Sequence, residues 1–438
     1  MLLQKKSKAT GKSSELAEFS RRLSMGFKQD LASVGPKIQK AAKHSKGLVA
    51  CLGSSRINQD SPDYVLAQET FYELGKNGYG VITGSGPGIM KAANIGAIDA
   101  NSISIGIQPA NLLSAEPCNI QNKLHYTVHS MHARKILIYA NSLALIFFPG
   151  GFGTMDELFE SLVLRQMNKM RGVPIILMGT EKYWSSFLKW MHNLVSQNFI
   201  SKKEVDFLHF ARTPKEALDF IKSLSSSTKH KLDELIKRFS SDMKKCNESL
   251  RSLMHPFLSI FGSSRITRSS IYYKSAKSLA ESATSNQIAI CSGGGNGIMK
   301  AVAEGAANKA NLSFGLIPTY FYSKENPNPS ESSLVILNLI ASRKVILGSA
   351  DALVFYPGGY GTLDEFFEYT TRISIKDMER VPLIAIGNGF WNDMKNWLLA
   401  NPVEMGLISD EQMKIVTYAK NERDAFSIIL NYLSQNPN

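Results

Sequence analysis

Apolar residues along this chain follow two alternating patterns. Short unbroken apolar runs such as Leu48–Leu52 and Leu143–Phe148 end at or just before glycine, as strands buried on both faces of a parallel sheet do. Between them, apolar positions three and four residues apart mark one face of a helix, as over 61–76. The pattern predicts strands at Leu48–Leu52, Gly80–Ile82, Ser104–Ile107, Leu143–Phe148 and Ile175–Met178. It predicts helices at 61–76, Ile89–Asp99 and Ala133–Asn141, with another opening at Thr154. Further along, strands are predicted at Leu258–Phe261, Ile288–Cys291, Ser313–Ile317, Leu353–Tyr356 and Leu383–Ile386. Strands alternating with helices define an α/β chain with doubly wound parallel sheets.

The second series repeats the first. GSSR stands at Gly53–Arg56 and Gly262–Arg265, and GIMKA at Gly88–Ala92 and Gly297–Ala301. ARK at 133–135 is answered by SRK at 342–344, and PGGFGTMDE at 149–157 by PGGYGTLDE at 357–365. The offset is 209 for the first three pairs and 208 for the last. A shared offset with one slip implies a tandem duplication. The expected organisation is therefore two Rossmann-like domains, at 47–222 and 257–438. A basic helical extension at 1–46 precedes them, and a linker with an amphipathic helix at 223–256 joins them. Leu16, Phe19, Leu23, Phe27 and Leu31 give the extension an apolar helical face. Leu232, Leu235, Ile236, Phe239, Met243, Leu250 and Leu253 give the connector another. Both faces are expected to pack on a domain.

A net charge of +13 changes this picture little once it is located. Residues 1–46 carry eleven Lys/Arg against three Asp/Glu, and 223–256 seven against four, so the two domains are near neutral. Nucleic-acid binding would rest on the basic tail alone and is the weakest reading; a solvated helix face explains the tail. No apolar run is long enough for a bilayer, which excludes a membrane-spanning protein of the helical kind. Lysines stand near the N-terminus where a signal peptide needs its apolar core, and four scattered cysteines show no metal-ligand spacing. A cytoplasmic protein with reduced thiols and no metal or other cofactor is expected.

The candidate chemistry lies in glycine loops at strand ends. In Pro149-Gly150-Gly151-Phe152-Gly153-Thr154, a buried strand turns on glycines into a helix. Bare backbone N–H groups and the helix N-terminus suit a phosphate there. Gly358, Gly359, Gly361 and Thr362 repeat the loop. Gly53-Ser54 and the Gly84, Gly86 and Gly88 loop end the first two strands and also suit nucleotide contact. Gly262-Ser263 and Gly294, Gly295 and Gly297 are their second-copy partners. Arg134 and Lys135, repeated as Arg343 and Lys344, open a helix and are counted among the candidate anion-binding groups. His132 is not repeated and reads as structural. Thr154-x-x-Glu157 and Thr362-x-x-Glu365 also fit capping boxes, but a capping box does not call for a PGGxG loop before it. No GxxxxGK[ST] is present, and neither glycine loop matches the dinucleotide fingerprint with its acidic partner, so P-loop and NAD chemistry find no support.

Taken together, GSS…GxGxGIM…ARK…PGGxGTxxE resembles the LOG family, the cytokinin riboside 5′-monophosphate phosphoribohydrolases often mislabelled as lysine decarboxylases. The resemblance covers 47–222 and 257–434, with LHY at 124–126, MHARK, PGGFGTMDELFE, Gln166 and Tyr183-Trp184 matching its longer bacterial branch. It implies hydrolysis of the N-glycosidic bond of nucleoside 5′-monophosphates such as AMP to free base and ribose 5-phosphate. Arg134 and Glu157 would be the catalytic pair, with the PGGFGT loop on the 5′-phosphate. Arg343 and Glu365 would be the pair of the second copy, where Ser374 replaces Gln166 and the loop holding Pro327 and Pro329 is rewritten. That site would differ in substrate, be regulatory, or be slow. The resemblance further implies an intramolecular pseudo-dimer of the two halves, open to further homo-oligomerisation. The competing reading is a non-catalytic nucleotide sensor or a carrier of a molybdopterin-type cofactor on the same fold.

Overall fold

The structure is a computed structural model. It describes residues 9–112, 124–170, 172–223, 232–250, 256–322 and 333–436. Side chains of 9–24 and of both ends of the 232–250 helix lie outside this description. Leu16, Phe19, Leu23, Leu232, Leu235, Ile236, Leu250 and Leu253, most of the 223–230 linker, and Pro327 and Pro329 fall there too.

The first sheet comprises β1 (Leu48–Leu52), β2 (Gly80–Thr83), β3 (Ser104–Pro109), β4 (Leu124–Val128), β5 (Ser142–Phe147), β6 (Ile175–Leu177) and β7 (Leu208–Phe210). Its spatial order is β4-β3-β2-β1-β5-β6-β7, and every pairing is parallel. The second sheet comprises β8 (Phe257–Phe261), β9 (Ala289–Ser292), β10 (Ser313–Pro318), β11 (Ser333–Leu337), β12 (Ala352–Phe355), β13 (Leu383–Ile386) and β14 (Val416–Ala419). Its order, β11-β10-β9-β8-β12-β13-β14, is the same topology and is again all parallel. The expected α/β doubly wound architecture is therefore present twice.

The reason is visible in the strands. Every residue of β1 is buried, because helices cover both faces of a parallel sheet. Burying each large aliphatic side chain there is worth about 1.5–3 kcal/mol. The five predicted strands of each copy are the central ones and the first of the flank. The outer strands β4 and β7 are half-exposed, so their sequences lack the unbroken apolar run that marks the centre. The chain order reverses between β1 and β5, and between β8 and β12. Open α/β sheets bind ligands at that switch point, beyond the carboxyl ends of the strands.

The chain folds as two compact units. One consists of Gly26–Ile236 together with Met394–Met413; the other is centred on Lys237–Asp393, with the strand and helix that follow Lys414. In the first unit, Trp397 stacks on Trp190 at 5.4 Å between ring centroids, and its edge meets Tyr183 and Phe187. Arg56 Nη1 donates to the Leu407 carbonyl at 3.3 Å, and a Cβ on Gly151 would lie 2.6 Å from that same oxygen. Cys51 and Cys291 are buried, and burial pushes the Cys51 thiol well up. Among the described residues no helix is long and apolar enough to cross a membrane.

Candidate active site

Three loops converge at the switch point of the first sheet. Ser54 N donates to the Pro149 carbonyl at 3.2 Å, tying the GSS loop after β1 to the PGG loop after β5. Ile89 N donates to the Ser54 carbonyl at 3.0 Å, bringing in the loop after β2. This packing needs Gly88, whose φ is +62° and whose Cβ would stand 2.3 Å from the Ser54 oxygen. The second unit repeats the arrangement through Ser263 N to the Pro357 carbonyl at 3.0 Å, Ile298 N to the Ser263 carbonyl at 3.1 Å, and Gly297 at φ +63°. Gly53, Ser54, Gly84, Gly86, Gly88, Gly150, Gly151, Gly153 and Thr154 thus belong to one cluster of loops and helix starts. Gly262, Ser263, Gly294, Gly295, Gly297, Gly358, Gly359, Gly361 and Thr362 form its counterpart.

The helix after the PGG loop runs from Phe152 to Gln166, two residues earlier than predicted. Gly151 is its N-cap, and no side chain caps it. Thr154 therefore sits inside the first turn and is not the cap of a Thr154–Glu157 capping box. Its Oγ1 packs on Gly150, where a Cβ would come within 2.0 Å. The Tyr360–Ser374 helix shows the same start, with Gly359 as N-cap and Thr362 packed on Gly358. With the cap reading gone, the uncapped helix start leaves its N–H groups for another acceptor.

Arg134 rises from the Met131–Ala140 helix, and its Nη2 lies 3.5 Å from Glu157 Oε1. Both residues are buried. Arg343 Nη2 and Glu365 Oε1 are 2.7 Å apart in the second unit. The contacts are ion pairs and not well-directed hydrogen bonds: Glu157 Oε1, Glu365 Oε1, Arg134 Nε and Arg343 Nε are buried without a hydrogen-bond partner. Burial pushes the Glu157 carboxyl up to about 7, even against the pull of Arg134. Burial likewise raises the Glu365 carboxyl, opposed by Arg343 and Lys344. Each guanidinium lies against a glycine: a Cβ would stand 1.8 Å from Arg134 Nη2 at Gly84 and 2.4 Å from Arg343 Nη2 at Gly293. Gly293 stands at the shared offset of 209 from Gly84.

Lys135 and Lys344 take a different part from the anion-binding one expected of them. Lys135 Nζ is held by Asp156 at 3.0 Å and Glu160 at 2.5 Å, and Lys344 Nζ by Asp364 at 2.8 Å and Glu368 at 2.7 Å. The lysines point away from the arginine side of their helix into buried carboxylates, which places them in the scaffold. His132 is buried at the start of the same helix. Gln166 Nε2 donates to Glu204, on the Lys202–Val205 helix.

The two sites differ in the support of the PGG loop. The Tyr183 hydroxyl donates to the Gly150 carbonyl at 2.7 Å and accepts from Gly150 N at 3.4 Å. In the second unit Phe390 takes that place: Phe390 and Trp391 pack at 4.8 Å and 84°, as Tyr183 and Trp184 do at 4.8 Å and 82°. Tyr183→Phe is expected to cost about 1 kcal/mol of stability. It should also weaken nucleotide binding at the first site several-fold, as read by calorimetry with AMP; an unchanged affinity would show that the hydroxyl does not set the loop.

Fold and site define a class: an α/β protein with a glycine loop at a helix start and a buried arginine–glutamate pair at the switch point, present twice. The "Possible lysine decarboxylase" family model matches residues 90–221 and 299–429, more than half of the chain, and the chain belongs to that family. The chain is 28% identical over 183 residues to a probable cytokinin riboside 5′-monophosphate phosphoribohydrolase of Oryza sativa subsp. japonica, covering 41% of this chain and 71% of that protein. It is 30% identical over 145 residues to the pyrimidine/purine nucleotide 5′-monophosphate nucleosidase of Escherichia coli (strain K12), covering 31% of each. Among solved structures, the molybdenum cofactor binding protein of Rippkaea orientalis aligns at 21% identity with a TM-score of 0.32, covering 41% of this chain and 96% of that one.

Proposed function

We propose that the protein hydrolyses the N-glycosidic bond of nucleoside 5′-monophosphates, releasing free base and ribose 5-phosphate. The observation that carries this reading is the buried Arg134–Glu157 pair with unfilled hydrogen-bonding atoms, its glutamate the sixth residue of the helix that begins at the PGG loop. Buried polar atoms without partners are rare, and here they belong to a pair whose guanidinium lies against Gly84 of the second-strand glycine loop. The named activities of the rice and Escherichia coli relatives support the same reading.

In this reading the 5′-phosphate lies on the backbone N–H groups at the start of the Phe152–Gln166 helix, where the helix dipole favours negative charge. That anchor sets the ribose beside Glu157. As the C1′–N bond breaks, its electron pair leaves with the base and positive charge develops on the ribose. The Glu157 carboxylate stabilises that charge and orients a water, whose oxygen bonds to C1′ while its proton is released. The base takes up a proton to leave neutral. Arg134 holds the carboxylate and a substrate oxygen in register. Arg343 and Glu365 would do the same in the second unit.

The test is incubation of the full chain with AMP, GMP, CMP, UMP and IMP, with free base separated by chromatography. Base and ribose 5-phosphate are expected in equal amounts. Nucleotides that raise the melting temperature without releasing base would instead make the protein a nucleotide sensor or a carrier. The charge on Glu157 adds a pH signature. The carboxylate forms as pH rises through about 7, so kcat/KM should fall as pH drops below that value. A profile that instead falls as pH rises above 7 would make Glu157 the proton donor.

A further inference from the structure

The helix carrying the site arginine is held at its N-terminus by an aspartate from outside the glycine-loop motifs. Asp30, on the Ala9–Ala42 helix, is 2% exposed. Its Oδ2 accepts from His129 N at 2.8 Å and Ser130 N at 2.9 Å, and its Oδ1 meets His129 Nδ1 at 3.0 Å. Ser130 is the N-cap of the Met131–Ala140 helix, four residues before Arg134. In the other unit Asp242, on the Leu232–Leu250 helix, is fully buried. It accepts from Asn338 N at 2.9 Å, Leu339 N at 2.9 Å and Asn338 Nδ2 at 2.7 Å. Leu339 is the N-cap of the Ile340–Leu347 helix, four residues before Arg343.

Two details separate this from ordinary capping. In the first unit Ser130 already caps its helix through its side chain, yet the buried carboxylate is present as well. In the second unit the capping side chain is gone, with Leu339 in its place, and the carboxylate remains. The aspartates also sit in matching surroundings: Phe27-x-x-Asp30-Leu31 recurs as Phe239-x-x-Asp242-Met243, with Phe27, Leu31, Phe239 and Met243 buried. Their offset is 212, three more than the 209 of the arginines, so the chain between aspartate and arginine differs in length while the contact is the same. The arginine helix is thus fixed twice, by aspartate at the N–H groups of its N-cap and the residue before it, and by the Lys135–Asp156 or Lys344–Asp364 pair beside the arginine.

We propose that Asp30 and Asp242 are positioning residues for the active-site arginines: they set the height and rotation of the arginine helices and so aim Arg134 at Glu157 and Arg343 at Glu365. The proposal rests on the functional reading above, in which those arginines act on the bound nucleotide. The amphipathic helix ahead of each repeat then belongs to the working site and is more than outer packing.

The test is a double-mutant cycle on the full chain, carried in Glu365→Gln so that only the first site turns over. Asp30→Ala should lower kcat for AMP by about 10- to 100-fold, since small misplacements cost that much. KM should rise by much less than kcat falls, because the phosphate loop is on another helix and only the contact through Arg134 is lost. Adding Arg134→Ala should leave no further effect of Asp30→Ala, as expected when one residue acts through the other. A loss confined to melting temperature, with kcat per folded molecule unchanged, overturns the proposal, and so does an Asp30→Ala effect that persists without Arg134. Should Asp30→Ala fail to fold, Asp30→Asn keeps an acceptor oxygen for the helix and carries the same cycle. If the parent protein releases no base, the hydrolase reading fails by itself, and the cycle is read on AMP affinity by calorimetry. Asp30→Ala must then weaken AMP only when Arg134 is present, or positioning fails as well. Asp242→Ala in Glu157→Gln repeats the cycle for the second site.

Discussion

Glu157→Gln in the Glu365→Gln background is expected to reduce base release by at least about 100-fold, the usual cost of removing a group that stabilises transition-state charge. The amide keeps the shape of the side chain but cannot carry the negative charge that meets a developing cation at C1′. The parent carboxyl is already unwillingly charged, held up at about 7 by burial, so the amide should not harm the fold. Melting temperature should therefore hold while activity is lost. Each single variant then reports on the other site: Glu157→Gln alone leaves whatever the Arg343–Glu365 pair delivers. Base release that survives the double substitution would remove both glutamates from the chemistry.

Gly84→Ala is expected to act almost as strongly from a residue with no chemistry of its own. A single methyl there would stand 1.8 Å from Arg134 Nη2 and 2.9 Å from Met90 Sδ. Both neighbours are ends of flexible side chains, so the chain can accommodate the methyl by moving the guanidinium away from Glu157. The predicted result is a loss of about 100-fold in kcat with little loss of stability. Gly293→Ala should displace Arg343 in the same way. Gly389→Ala, where a Cβ meets nothing within 4 Å, is the control and should change neither quantity. An active, stable Gly84→Ala enzyme would mean that the position of Arg134 does not matter.

What could be read from the sequence follows from what each element needs. β1 and β13 are predicted to the residue, because strands covered on both faces must be apolar throughout. The half-exposed β4 and β7 carry no such demand, and their identity comes from pairing with β3 and β6. The glycine loops were legible because close approach leaves no alternative residue, and their recurrence removed coincidence. The helix starts two residues ahead of Thr154 because Phe152 and Gly153, weak helix formers in isolation, take its first two positions behind the Gly151 cap. Lys135 was grouped with anion ligands because its neighbour's role is contagious in a linear reading, whereas the helix turns it toward Asp156. Asp30 and Asp242 escaped notice because their offset differs from that of the motifs they serve.

The membership of Met394–Met413 in the first unit has a consequence in time. These residues supply Trp397 against Trp190 and the Leu407 carbonyl against Arg56. During synthesis they emerge long after Ile236, by about 10–35 s at ordinary elongation rates. Until then the first unit waits unfinished, with its aromatic face of Tyr183, Phe187 and Trp190 lacking its stacking partner. The first repeat is thus made early but completed late, and a ribosome that stalls between the repeats leaves a sticky half-domain for the cell's chaperones.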